Sequence, residues 1–122
     1  MTKPYNEMSM TELESEMFNI YSAMEEIGAE WARFKALYEL SVDSKKTKLA
    51  SIIDGNLKSG SFSDREVQAR ASDDWKMFMA DQKRLYDCYF NAQVGWDVIR
   101  ARHEGLRTII SNRREEIKKF NG

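Results

Sequence analysis

Residues 13–38 read LESEMFNIYSAMEEIGAEWARFKALY, with apolar side chains at Leu13, Met17, Ile20, Met24, Ile27, Trp31, Phe34 and Tyr38. The steps between them alternate 4, 3, 4, 3, 4, 3, 4 without a break. Such a heptad stripe keeps one face of an α-helix turned toward a partner helix. Two overlapping capping boxes, Ser9-x-x-Glu12 and Thr11-x-x-Glu14, open this arm. At Ser41 and Lys45 the stripe is interrupted, and a displaced one (Val42, Leu49, Ile52, Ile53) carries apolar character to the only dense turn cluster, residues 54–63.

A second stripe follows the cluster: Trp75, Phe78, Gln82, Leu85, Tyr89, Ala92, Trp96, Ile99, His103, Leu106, Ile110, Arg113, Ile117 and Phe120. Its polar members, Gln82, His103 and Arg113, are of the kind that fix register or partner number at some cost in stability. A capping box at Ser63-x-x-Glu66 starts the arm, and Ser72-Asp73-Asp74 predicts a restart after a short first piece. The one proline, Pro4, interrupts neither stripe, and a β-rich fold of 122 residues would need many more turn signals. The expected fold is therefore all-α. It is a long antiparallel, coiled-coil-like hairpin in one domain, 1–122, with a first arm at about 9–54, a Gly/Ser loop at about 55–63 and a second arm at about 64–120.

Charge supports antiparallel pairing. Residues 1–44 hold nine acids and three bases, whereas residues 98–122 hold seven bases and three acids. Folding about residue 59 sets the acidic arm beside the basic one, with Leu13 near Leu106, Met24 near Trp96 and Phe34 near Leu85. Trp31, Phe34, Trp75, Phe78, Leu85, Trp96, Ile99 and Leu106 are the expected seam. Phe18, Tyr21, Leu37, Leu40, Met77, Met79, Tyr86 and Phe90 flank it and widen the apolar faces beyond what two helices hide. That predicts a homo-oligomer.

The chain is too apolar for a disordered tail, with 42% hydrophobic residues, and too charged for a membrane protein, with 32% charged residues. The opening Met1-Thr2-Lys3-Pro4-Tyr5 lacks a signal-like apolar core, and Cys88 is the only cysteine, so the expected compartment is the cytoplasm. No Gly-rich phosphate loop, HExxH, ExxH or CxxC occurs. Cys88 and His103 are about four helical turns apart, too far to form a nucleophile–base pair on one straight helix. The acidic clusters read as solvated helix face. No catalytic residue, metal ligand or cofactor is expected, and the protein reads as a non-enzyme.

Two basic clusters remain. Arg100, Arg102, Arg107, Arg113, Arg114, Lys118 and Lys119 are explained in large part by pairing with the acidic arm. Lys45, Lys46 and Lys48, with Lys58 in the loop and Arg65 and Arg70 after it, form a basic tip. One reading is a solvated helix end whose lysines complement the helix dipole. The other is a phosphate-binding surface, with Phe62 and Trp75 placed to stack on bases.

The order of parts resembles the UvsY-type recombination mediators of T4-like phages and small helical proteins encoded beside phage recombinases. The likeness covers roughly residues 28–112: Trp31-x-x-Phe34-Lys35-x-Leu37-Tyr38-Glu39, then Lys45-Lys46-x-Lys48-Leu49-Ala50 running into the loop, then Arg65-Glu66-x-x-Ala69-Arg70-Ala71-Ser72 and a long helix with Arg100-x-Arg102. The resemblance implies a phage-encoded ring-forming helical protein that binds single-stranded DNA and helps a recombinase displace single-strand-binding protein. It implies DNA contacts at Lys45, Lys46 and Lys48, with Lys58. The acidic, Met-rich residues 7–39 depart from the family pattern. The alternative is a helical interaction module or inhibitor, of anti-CRISPR or anti-restriction type, that docks through Glu12, Glu14, Glu16, Glu25, Glu26 and Glu30. A structural coiled-coil subunit is a third.

Overall fold

A computed structural model describes residues 3–56 and 60–121. A one-turn 3-10 helix at Tyr5–Glu7 precedes four α-helices: α1 (Met10–Asp43), α2 (Lys45–Asn56), α3 (Phe62–Arg70) and α4 (Asp73–Asn121). No strand occurs among the described residues. The chain divides into two compact units. One comprises the residues up to Trp31 together with those from Ala92 onward, and the other is Ala32–Asn91. In each, a stretch of α1 packs antiparallel against a stretch of α4, so the expected helical hairpin is the observed fold.

The helix ends follow local chemistry. Of the two capping boxes at the start of α1, the first forms. Ser9 Oγ accepts from the Glu12 N–H at 3.1 Å, and the Ser9 N–H donates to Glu12 Oε1 at 3.1 Å. α3 is capped two residues earlier than Ser63: Ser61 Oγ accepts from the Asp64 N–H at 3.2 Å. The preceding Gly60 has φ +95°, in the left-handed region that favours glycine, and it turns the chain directly into that cap. Helix thus claims Gly55, Asn56, Phe62 and Ser63 from the predicted 55–63 loop. The restart at Ser72 is present. Its Oγ donates to the Ala69 carbonyl at 2.6 Å and accepts from the Trp75 N–H at 3.2 Å, which separates α3 from α4.

The first unit has its core at Leu13, Ile20 and Leu106, all fully buried, with Met8, Ile99 and Ile110 around them and Met24, Ile27 and Trp96 packed against them. Burying each such aliphatic side chain contributes about 1.5–3 kcal/mol. Trp31 and Trp96 stack at 6.3 Å with planes 7° apart. Gly28 lets the Trp96 ring approach: a Cβ there would lie 3.1 Å from it. In the second unit Ile52, Ile53 and Ala69 are buried, with Leu49 and Trp75 against them, so α2 packs on α3 and the start of α4. Tyr38 meets both Tyr86, at 5.3 Å, and Tyr89, at 5.9 Å.

In the first unit Gly28 faces Trp96, Tyr21 packs on His103 and Glu16 pairs with Arg102, and in the second Ser41 meets Gln82. One expectation is corrected: the α4 seam stops facing inward at its end, where Ile117 is 44% and Phe120 93% exposed. α1 begins at Met10, and Arg113 already reaches the Met8 carbonyl at 2.7 Å, so no described helix lies opposite the last turn. The three polar seam positions each find a use. Gln82 is 8% exposed and accepts from Ser41 Oγ at 3.5 Å, His103 packs on Tyr21 at 5.2 Å, and Arg113 holds the N-terminal segment. Ser41 is therefore part of the stripe that it seemed to interrupt.

Candidate nucleic-acid interface

The basic tip is built where α1 gives way to α2. A single residue, Ser44, separates them. Its N–H donates to the Leu40 carbonyl at 3.0 Å, its Oγ donates to the same oxygen at 2.7 Å, and its own carbonyl accepts from Lys48 N–H at 2.9 Å. The helical ladder is thus carried across the junction, and Lys45 and Lys46 follow it immediately. On the other strand of the hairpin, the Ala71–Ser72 break sets Arg70 at the end of α3 and Trp75 in the first turn of α4.

These two junctions face one groove of about 620 Å³ in the second unit. Lys45, Lys46 and Arg70 line it with Trp75, over an apolar surface of Val42, Leu49 and Met79. Asp43 also contributes, so three cations stand against one carboxylate. The Arg70 guanidinium lies 5.9 Å from the centre of the Trp75 ring and pairs with Glu66 at 3.1 Å. Trp75 in turn stacks against Phe78 at 5.5 Å with planes 30° apart. An indole beside cations is chemically suited to a planar, anionic ligand, through stacking on the ring and phosphate contacts to the cations.

The other candidates fall elsewhere. Lys48 and Arg65 are half-buried and do not line the groove, and the Arg65 Nε is buried without a hydrogen-bond partner. Phe62 is exposed at the start of α3, away from the groove lining. Lys58 lies outside the described residues. Neither α1 nor α2 has a basic residue in its last turn; Lys45 and Lys46 open α2 directly after α1 ends at Asp43. Asp43 is the groove residue that the sequence did not single out. Its only signal was its place between Val42 and the Lys45–Lys46 pair, too weak to mark a lining residue.

Two members of the second basic cluster pair with the acidic arm in the first unit, Arg102 with Glu16 at 3.3 Å and Arg114 with Glu14 at 3.6 Å, while Lys118 pairs with Glu115 of its own helix. Among the described residues no group of three or more His, Cys, Asp or Glu could hold a metal ion, and no helix is long and apolar enough to cross a membrane. No family model matches the chain, and no curated protein or solved structure matches it either.

Proposed function

We propose that this protein is a non-enzymatic, homo-oligomeric single-stranded DNA-binding protein that acts as a recombination mediator beside a phage recombinase. The observation that carries the reading is the convergence of Lys45, Lys46, Arg70 and Trp75 on one groove, from two helix junctions far apart in sequence. Cations there neutralise phosphates and the indole stacks on a base, a combination that binds single strands with little sequence preference. Net charge of −1 gives no whole-molecule pull toward nucleic acid, so the reading rests on the local balance at the groove, where Lys45, Lys46 and Arg70 stand against Asp43. The mediator role, with a recombinase or single-strand-binding protein as partner and a bacterial cytoplasm as compartment, rests on the resemblance to UvsY-type proteins.

The inhibitor alternative has less support. Its acidic face is partly spent within the chain, since Glu12, Glu14 and Glu16 pair with Lys3, Arg114 and Arg102. The test is anisotropy of a labelled oligothymidylate titrated with the protein between about 50 and 200 mM salt. Binding that weakens steeply with salt supports the proposal. Absence of binding at the lowest salt overturns it.

A further inference from the structure

The first unit carries a second groove, and its surroundings are divided by charge. Residues 10–31 hold six glutamates and no lysine or arginine. Residues 92–121 hold seven bases and four acids. Glu14, Phe18, Tyr21 and Glu25 follow one another at steps of 4, 3 and 4 and so share one stripe of α1. Arg100, Arg107 and Arg114 share a stripe of α4 at heptad spacing. Between the two stripes lies an open groove of about 480 Å³. Met17, Tyr21 and Ile110 give it an apolar bed; Arg114 and Lys118 line it paired with Glu14 and Glu115, and Arg107 lines it with no ion pair among the described residues. Phe18 stands on the acidic stripe and is 70% exposed, a large apolar side chain with nothing over it among the described residues.

We infer that this face is the contact between two copies of the chain, with Phe18 of each copy seated in the groove of the other. The charge division selects the symmetry. A two-fold axis parallel to the helices lays α1 of one copy over α4 of the other, glutamates on arginines. A perpendicular axis in the same plane would lay α1 on α1 and oppose like charges. The levels agree as well. Glu14 pairs with Arg114 and Tyr21 packs on His103, so Phe18 lies level with residues between them on α4, the stretch that lines the groove. Under the parallel axis it meets that stretch of the partner. The contact is isologous, each copy giving one knob and one groove. It rests on the homo-oligomer part of the proposed function and not on DNA binding.

The test is light scattering of the full chain at micromolar concentration, with Phe18→Asp and Arg107→Glu as variants. Both positions are solvent-facing, and far-UV circular dichroism checks that helix content is kept. The inference expects a wild-type mass at an even multiple of 14.3 kDa and a fall to half or less in each variant. A wild-type mass of 14.3 kDa overturns both the oligomer reading and this contact. An odd multiple, or a multimer that neither variant shifts, overturns this contact alone.

Discussion

Arg70 holds its guanidinium 5.9 Å from the centre of the Trp75 ring, across the break between α3 and α4. The cation and the ring therefore meet at one groove edge, although each belongs to a different helix. A base that stacks on Trp75 would lie beside Arg70. Trp75→Ala is expected to weaken oligonucleotide binding by about 1–3 kcal/mol, roughly 5- to 150-fold. Trp75→Phe should retain most of the affinity, because any aromatic face serves. Because Trp75 also packs on Ile52 and Ile53, binding is compared at a temperature where circular dichroism shows both variants folded.

Gly28 and Gly105 sit in helix interiors but have opposite surroundings. Nothing lies within 4 Å of a Cβ built at Gly105, so Gly105→Ala should stabilise the protein by about 1 kcal/mol. At Gly28 the added methyl meets Trp96 at 3.1 Å, and Trp96 is backed by Trp31, so Gly28→Ala should forfeit that gain. Urea unfolding of the two variants measures the difference.

Among the described residues, the buried Gln82 takes its hydrogen bond at the seam from Ser41. Ser41→Ala should cost about 1–3 kcal/mol, the penalty for leaving the amide oxygen unpaired. Adding Gln82→Leu should recover much of it, since an apolar pair needs no partner. A double-mutant cycle followed by thermal unfolding reads the coupling.

The Glu12 carboxyl is held below its ordinary range, first by the Ser9 backbone N–H and then by Lys3. A depressed folded-state value means that this contribution to stability is present above the unfolded value and is lost as pH falls through the folded one. Stability should therefore decline as the solution is acidified below the usual carboxylate range. Glu12→Gln should flatten that part of the profile, as measured by denaturant titrations across acid pH.

Much of the fold was legible because the heptad steps from Leu13 to Tyr38 and from Trp75 to Arg113 can satisfy only paired helices. The overrun at Ile117 and Phe120 was not legible, because a repeat says nothing of where its partner begins. Nor was the role of Ser41. A polar residue on an apolar stripe reads as an interruption until Gln82 is found across from it. At the groove, the lysines were conspicuous, yet sequence gave no way to tell Lys45 and Lys46 from Lys48. Which side a helix turns to its neighbour after the Ser44 junction is decided by α2 packing on α3. Arg70 and Trp75 follow the lysines only after the whole of α2 and the loop, and only the tertiary fold brings the four together.

The most direct measurement is the salt dependence of single-strand binding by the wild type and by Lys45→Ala/Lys46→Ala. Each phosphate neutralised on a single strand contributes about −0.7 to the slope of log affinity against log salt. The account predicts weaker binding by the double variant at every salt concentration and a slope shallower by about 1.4, with helix content unchanged. Equal affinity and equal slope for the two proteins would contradict the claim that this groove holds the strand.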